Sequence, residues 1–394
     1  MRDNKAILIA YLSYMALGAF DGLLGVVWPA MSLDFGVPLG ALGILGLISL
    51  AGFVLVSFNS GPLIRAKSFH WLLLAGLGIR AAAFMVIALF PSWPVILVMT
   101  FLLALGGGGI DSGLNIFIAA RGNARQINWL HASFGIGATS GPFLAAGVQA
   151  AGGTWQWNFA VIAAFLAVLT FLVWRTASHW RMEIPLKEEQ RPAAKRQAKL
   201  VDSLRLPVVQ ISVMLFFFYV ATEISTGQWS FSLFTLGRGT PELAAKFWVG
   251  AYWGVFTIGR ILFGLVADKV PLNTFLRGAL VAATAGALLL WWNPVAWVGF
   301  AGLALMGLAE APIYPSLIAS TTARVGRENA ANAIGLQGAA AGVGGATMVG
   351  LIGILATSIG IEMIAVSIVI LAFLTLLFHE ILLIAAARRR PQAA

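Results

Sequence analysis

The sequence predicts an all-α integral membrane protein, with twelve transmembrane helices in two pseudo-symmetric six-helix bundles. Composition, the length of the apolar runs and an internal repeat predict it. Of 394 residues, 60% are hydrophobic and only 10% charged, with a mean hydropathy of +0.90. Soluble domains carry about 25% charged residues. A chain of this length has too much apolar surface to hide inside one water-soluble core.

The apolar runs last roughly 20 residues or more, the length a helix needs to cross a hydrocarbon core of about 30 Å. Spanning strands would be shorter and would alternate in polarity. Twelve runs occur, near 6–30, 39–60, 69–91, 94–119, 127–150, 156–177, 207–236, 247–267, 273–292, 295–320, 330–355 and 360–385. The first follows Arg2 and Lys5 but is too long for a signal-peptide core and lacks a clear small-residue cleavage site. It is expected to be a helix.

Basic residues set the expected topology, because Lys and Arg concentrate in cytoplasmic loops. Arg65 and Lys67 follow the second run, Arg121 and Arg125 the fourth, Lys269 and Arg277 flank the eighth-to-ninth connection, and Arg324 and Arg327 follow the tenth. Arg388, Arg389 and Arg390 form the tail. Only Arg238 and Lys246, of 25 basic residues, fall on the opposite side. Both termini are therefore expected in the cytoplasm, at the plasma (inner) membrane. The net charge of +10 is a topology signal and implies no nucleic-acid partner.

Six runs precede and six follow a polar stretch, HWRMEIPLKEEQRPAAKRQAKLVDSLRL. The expected organisation is an N-terminal six-helix bundle at 1–178, a cytoplasmic linker at 179–206 and a C-terminal six-helix bundle at 207–394. The halves echo each other about 200 residues apart. LALGGGGIDSGLNIFIAA in the fourth run is answered by LALMGLAEAPIYPSLIAS in the tenth, and GIGATSGPFLAAG in the fifth by GVGGATMVGLIG in the eleventh. Duplicated halves of this kind match the parallel-repeat plan of a secondary transporter.

Here the chain resembles the major facilitator superfamily. GRILFGLVADKV, between the eighth and ninth runs, is similar to that family's inside-loop motif. The resemblance assigns a gating role to Gly259, Arg260, Gly264, Asp268 and Lys269. The equivalent first-half stretch, SGPLIRAK, keeps the glycine and the bases but lacks the aspartate. A finer resemblance, to the fucose permease and sodium-dependent glucose transporter-like branch, runs through DSGLN at 111–115, LHASFGIGATSGP at 130–142 and YVATEISTGQW at 219–229. It implies uptake of a sugar or polyol driven by a proton or sodium gradient.

Ionisable residues deep in predicted spans are expensive, at about 2.5–3.5 kcal/mol each on insertion scales. Five occur: Asp21, Arg80, Asp111, Glu223 and Glu310. The resemblance places the four acids on the helices that line the family's central cavity. Asp111 is the leading coupling-ion candidate, binding a proton or sodium, with Asp21 and His131 beside it; its structural reading is an ion pair with Arg80. Asn115, one turn from Asp111, shares its face. Glu223, Gln228, Trp229, Glu310 and Tyr314 are the remaining substrate-binding candidates. Gln228 and Tyr314 offer hydrogen bonds, and Trp229 a flat face for a sugar ring. Pro312 and Pro315 break backbone bonds beside Glu310. Packing is the bland alternative for each. Trp93, Trp155, Trp157, Trp180, Trp291 and Trp292 mark membrane interfaces by position.

No metal-spaced His/Cys set, HExxH, Gly-x-Ser-x-Gly turn or phosphate loop is present, so neither an enzyme nor a cofactor is expected. The expected function is symport of a sugar-like small molecule by alternating access, with a proton favoured over sodium. A monomer in the lipid bilayer is expected. The competing reading is a proton-coupled drug or metabolite exporter on the same fold. A non-transporting receptor or lipid-handling protein is more distant.

Overall fold

The computed structural model describes residues 2–119, 124–180, 198–266 and 271–388. Among these residues there are helices and turns and no strand. In chain order the helices are α1 (Arg2–Asp34), α2 (Leu42–Ala66), α3 (Phe69–Leu89), α4 (Trp93–Ala119), α5 (Ala124–Ala150) and α6 (Trp155–Arg175). A short α7 (Leu200–Leu204) precedes α8 (Pro207–Ser232), α9 (Glu242–Val266), α10 (Leu272–Trp292), α11 (Ala296–Glu310), α12 (Ile313–Val325), α13 (Arg327–Ser358) and α14 (Met363–Arg388). Each of the twelve apolar runs coincides with one long helix, except that the tenth is divided between α11 and α12. Pro312 supplies no backbone N–H there, so the break falls where the sequence expected free carbonyls.

Ten of these segments are long and apolar enough to cross a membrane. The two that fall outside this group are α5 and α9, and they pack on each other. Their lower hydropathy comes from Glu242, Lys246 and Arg260 on α9 and from Gln126, Asn128, His131, Ser133, Thr139 and Ser140 on α5. The perimeter shows the complement: Phe58, Phe171, Trp174 and Ile354 are all largely exposed, which water would disfavour and hydrocarbon accepts.

Short connections make successive helices alternate in direction, so two ends can be defined. The terminal end holds the start of α1, and the distal end holds its finish. Helices α1–α6 pack mainly among themselves, chiefly α1 on α5, α2 on α4 and α3 on α4 and α6. In the second set α8 packs on α13 and α14, α10 on α11, and α9 on α11. Contacts between the two sets gather toward the distal end. A Cβ added to Gly43 would sit 2.2 Å from Gly350 Cα, and one on Gly25 would sit 2.5 Å from Gln228 O. Those approaches require glycine. At the distal rim Lys246 donates to Gln149 and, at 3.1 Å, to Glu242.

On the linker, residues 181–197 lie outside the described residues. Its C-terminal part docks on the start of α13, with Ser203 Oγ donating to Asn329 Oδ1 at 2.9 Å and Asn332 Nδ2 to Ala198 O at 2.8 Å. Trp157, Trp291 and Trp292 are exposed, as interface anchors would be. Trp155 and Trp180 are buried and hold structure instead. Trp155 Nε1 donates to Asp34 Oδ2 at 2.6 Å and Trp180 Nε1 to Thr176 Oγ1 at 2.9 Å.

Candidate functional site: a central cavity with two carboxylate nests

A cavity of about 440 Å³ lies between the two sets of helices, walled by α1, α2, α3, α4, α8 and α13 with single residues from α5, α6 and α9. Its wall contains Asp21, Arg80, Asp111, Glu223 and Gln228. The remaining wall is mostly apolar.

The glycine run of α4 explains how Arg80 is housed. A Cβ on Gly106 would fall 2.7 Å from Arg80 Cγ, and one on Gly107 would fall 2.9 Å from Arg80 Nη1. The run also brings backbones together: the same Gly106 Cβ would be 2.6 Å from Gly76 O on α3, and one on Gly108 would be 2.8 Å from Phe53 O on α2. The guanidinium lies over the Phe20 and Phe84 rings, at 5.8 and 5.3 Å from their centroids, and Nη1 donates to Leu103 O at 2.8 Å. The acid that acts on it electrostatically is Asp21. Among the described residues no ion pair joins Arg80 to Asp111, so the alternative reading of Asp111 as a structural partner of Arg80 is not realised here. Asp111 is held two turns away along α4 by other groups.

Those groups form the first nest. Tyr14, on α1, donates to Asp111 Oδ1 in a short hydrogen bond. Asn115 Nδ2 reaches Tyr14 Oη at 3.0 Å, Asp111 O at 2.9 Å and Asp111 Oδ1 at 3.3 Å. The amide orientation follows from this network. The His131 ring meets the edge of Tyr14 at 5.4 Å between centroids, so it joins the nest through Tyr14. Asp21 lies two turns beyond Tyr14 on the same face of α1, exposed to the cavity. Among the described residues its carboxylate has no hydrogen-bond or ion-pair partner.

The second nest belongs to α8, α9 and α11. Glu223 Oε2 accepts from Tyr219 Oη at 2.5 Å, and Arg260 Nη2 stands 4.0 Å from Glu223 Oε1. Arg260 also lies over Phe256 at 4.4 Å and donates through Nε to Ala311 O at 3.4 Å. It thus faces the membrane interior as a partner of Glu223, which its inside-loop motif did not suggest. Gly259 lets α9 approach α11, since a Cβ there would meet Ala311 Cβ at 2.8 Å. Gly264 lies on the last part of α9. Asp268 and Lys269 lie outside the described residues.

Glu310 is placed differently from the expectation. It is 1% exposed, its Oε2 accepts from Tyr252 Oη at 2.7 Å, and its Oε1 has no partner among the described residues. It is absent from the central cavity and borders a separate void of about 10 Å³ with Tyr219, Thr222 and Thr375. The repeat gives the reason. At the 200-residue offset Glu310 matches Ile110, and Asp111 matches Ala311. One residue turns a side chain by about 100° around a helix, away from the cavity.

Two further substrate candidates lie off the cavity wall. Trp229 is fully buried, and its Nε1 donates to Val349 O at 3.1 Å, fixing α8 to α13. Tyr314 packs on Phe216 and Tyr219, at 5.4 and 6.4 Å between centroids. Gln228 does line the cavity, and its Nε2 donates to Asp21 O at 3.0 Å. Sequence reasoning missed Tyr14, Tyr219, Tyr252 and Trp253. A seven-residue spacing from Asp21 marked Tyr14, and a four-residue spacing from Glu223 marked Tyr219, but tyrosine in a membrane helix gave no signal of its own.

A sequence profile of the Major Facilitator Superfamily matches residues 10–303 and again 238–394. The chain belongs to the Major Facilitator Superfamily. This is a family of membrane transporters, not of enzymes, and its members here include sugar carriers. The glucose/mannose transporter GlcP of Bacillus subtilis is 24% identical over 330 residues, covering 81% of this chain and 79% of its own. The sodium-dependent glucose transporter 1A of Mus musculus is 23% identical, covering 64% and 66%. Bypass of stop codon protein 6 of Saccharomyces cerevisiae is 19% identical, covering 91% and 78%. Among solved structures, the nucleoside transporter NupG superposes with a TM-score of 0.76 at 14% identity, covering 98% of this chain and 100% of its own. FucP in its outward conformation gives 0.63 at 15% identity, covering 97% and 99%. At those identities the superfamily fold is what is shared.

Proposed function

We propose that this member of the superfamily is a cation-coupled symporter of a sugar or similar polyhydroxylated small molecule. It works by alternating access between bundles 1–178 and 207–394 as a monomer in the inner membrane, with both termini cytoplasmic. The observation that carries the reading is the pairing of Asp111 with Tyr14 and Asn115 at a cavity also bordered by Asp21, Glu223 and Gln228. Hydroxyls need paired donors and acceptors, and this set provides both.

Asp111, with Asp21 and His131 near it, is the coupling centre of the proposal. Its side-chain contacts, an O–H and an N–H donor, both go to Oδ1 and favour the ionised carboxylate, which leaves Oδ2, without a bond among the described residues, to take up a proton. Sodium would ask instead for several converging oxygen acceptors, and the reading takes the coupling ion to be a proton. With basic loops inside, the closed distal end is the outer one, and the conformation faces inward. Gain of a proton at Asp111 would remove a charge from the bundle interface and let the halves rock. The relatives that carry glucose or mannose support the substrate class.

The second reading, a proton-coupled exporter of apolar compounds, is favoured by one observation, the largely apolar cavity wall. Uptake of labelled hexoses into proteoliposomes under an imposed proton or sodium gradient separates the two. Gradient-driven accumulation of a hexose supports the symporter. Absence of hexose transport, with proton-dependent movement of an apolar cation, establishes the exporter.

A further inference from the structure

Arg260 stands between the two nests and is bound tightly to neither. Its Nη2 is 4.0 Å from Glu223 Oε1, beyond hydrogen-bond range, and its Nε lies 3.4 Å from Ala311 O, where such a bond is weak. The Phe256 ring supports the guanidinium at 4.4 Å. A guanidinium carries five N–H donors, and most of those on Arg260 are unspent among the described residues. The side chain is 28% exposed, unlike Arg80, which fills the glycine slot of α4 and bonds Leu103 O.

The packing of α5 on α9 brings the first nest to this cation. The two helices run antiparallel across the interface between the bundles. A Cβ on Gly250 would fall 2.9 Å from Phe143 Cε2 and one on Gly254 would fall 3.5 Å from Thr139 Cγ2, while Gly135 faces Thr257. One turn further toward the terminal end, the same register sets Arg260 on α9 level with His131 on α5. The His131 ring meets Tyr14, the donor to Asp111. The charge of Arg260 accordingly acts on Tyr14 and His131 as well as on Glu223 and Tyr219. Tyr314, on α12, feels Asp111, Glu223 and Arg260 together. Titratable groups of α1, α5, α8 and α12 thus surround one loosely held cation.

A transport cycle needs such a cation. A symporter that has released its sugar and its proton must close around an ionised Asp111 to return, and an enclosed carboxylate without a partner is strongly disfavoured. Arg80 acts on Asp21 from its slot. Arg238 pairs with Glu362 and Lys246 with Glu242. Arg260 lies on the same side as the Asp111 nest, with room to move and donors to offer.

We propose that Arg260 is a shared counter-ion of the cycle: it stays with Glu223 while Asp111 holds the coupling proton, and turns to Asp111 when that proton has left, so that the empty carrier can reorient. This rests on Asp111 being the coupling centre and adds the step by which the empty carrier returns. The swap ties the two halves together, because Glu223 loses its cation as Asp111 gains it.

The test measures two fluxes of labelled glucose in proteoliposomes of the full chain: exchange at equal glucose on both sides, and net downhill uptake without an ion gradient. Exchange needs only the loaded carrier to reorient, whereas net uptake needs the empty one. Arg260→Gln is expected to lower net uptake about tenfold or more, the effect of one uncompensated buried charge, and to keep exchange within about threefold of wild type. Adding Asp111→Asn to it is expected to restore net uptake, because no charge is left to compensate. Arg260→Lys, which keeps the charge, is expected to retain both fluxes. A residue that only held the fold would lower both together and would not be rescued from Asp111. Should Arg260→Gln fail to fold, Arg260→Met, closer to the arginine stem over Phe256, carries the same comparison.

Net uptake at the wild-type rate in Arg260→Gln overturns the inference. So does equal loss of both fluxes, and so does a double variant no faster than Arg260→Gln. In each case Asp111 stands as the coupling centre provided that Asp111→Asn alone loses gradient-driven accumulation. Accumulation by Asp111→Asn, or no glucose flux in wild type, overturns the underlying reading and this one with it.

Discussion

Tyr14 and Asp111, 97 residues apart in sequence, share a hydrogen bond that joins α1 to α4 at the terminal side of the central cavity. Asn115 closes the triangle through the same carboxylate oxygen and the same hydroxyl. A carboxylate in this setting depends on its donors, because a hydrogen bond to a charged group contributes about 1.5–3 kcal/mol. Tyr14→Phe is therefore expected to lower gradient-driven uptake by about tenfold or more while the protein still folds. Uptake rates and melting temperature, measured on the same preparation, check this. Uptake at the wild-type rate would remove Tyr14 from the coupling centre.

The close approach of α3 and α4 makes Gly106 intolerant of a side chain. In Gly106→Ala the new methyl group would meet a backbone oxygen, Gly76 O, at 2.6 Å and the Arg80 stem at 2.7 Å. Overpacking of this kind costs about 1–3 kcal/mol. A lower melting temperature in detergent is expected. The same substitution at Gly147, where nothing lies within 4 Å, is the control and is expected to be neutral.

Closure of the distal end depends on glycines that face each other. A larger residue at Gly43, opposite Gly350, is expected to hold α2 away from α13 and populate conformations open at that end. Distances between spin labels at the distal ends of α2 and α13 read the change. Gly43→Val is expected to lengthen them by several ångströms in a substantial fraction of molecules, and an unchanged distribution would show that the contact does not set the equilibrium.

Glu310 and Glu223 together test which acid of the second half belongs to the cavity. Glu310 lies off the cavity, with one oxygen bonded to Tyr252 and the other unpartnered. Glu310→Gln keeps the shape and an acceptor, so sugar affinity is expected to stay within about threefold of wild type. Glu223→Gln, at the cavity wall, is expected to weaken it by tenfold or more, the scale of one lost charge-assisted hydrogen bond. Equal losses at both positions would place Glu310 in the binding site after all.

Arg277 and Glu380 form a two-pronged pair at 2.9 and 2.6 Å, with side chains 54% and 36% exposed. The close packing of α10 against α14 brings Arg277 to Glu380. Exposed pairs contribute about 0–1 kcal/mol. Arg277→Ala is expected to change the melting temperature only slightly, which thermal unfolding in detergent would show.

The helices were legible in the sequence because a membrane demands long apolar runs, and even the α11–α12 break was announced by Pro312. Asp111 and Asn115 were legible as neighbours because one helical turn separates them. Contacts between helices were not. A structural pair of Arg80 with Asp111 was the alternative reading, on charge alone; the glycines of α4 instead open a slot that holds Arg80 beside Phe20, Phe84 and Leu103. Glu310 was placed at the cavity because the resemblance puts its helix there, but relative to Asp111 in the repeat it is displaced by one residue and so points elsewhere. Trp229 offered a ring for a sugar and instead spends its N–H on Val349 O. Rotation about a helix axis decides these cases, and the identity of a residue says little about it.

The central claim is that Asp111 couples the cation gradient to substrate movement. Its most direct test compares wild type with Asp111→Asn in proteoliposomes, measuring both gradient-driven accumulation and equilibrium exchange of the same labelled sugar. The account predicts that the variant loses accumulation and keeps exchange, because an uncharged side chain of the same shape leaves the cavity intact and cannot take up or release the ion. Accumulation at the wild-type level in Asp111→Asn would contradict it.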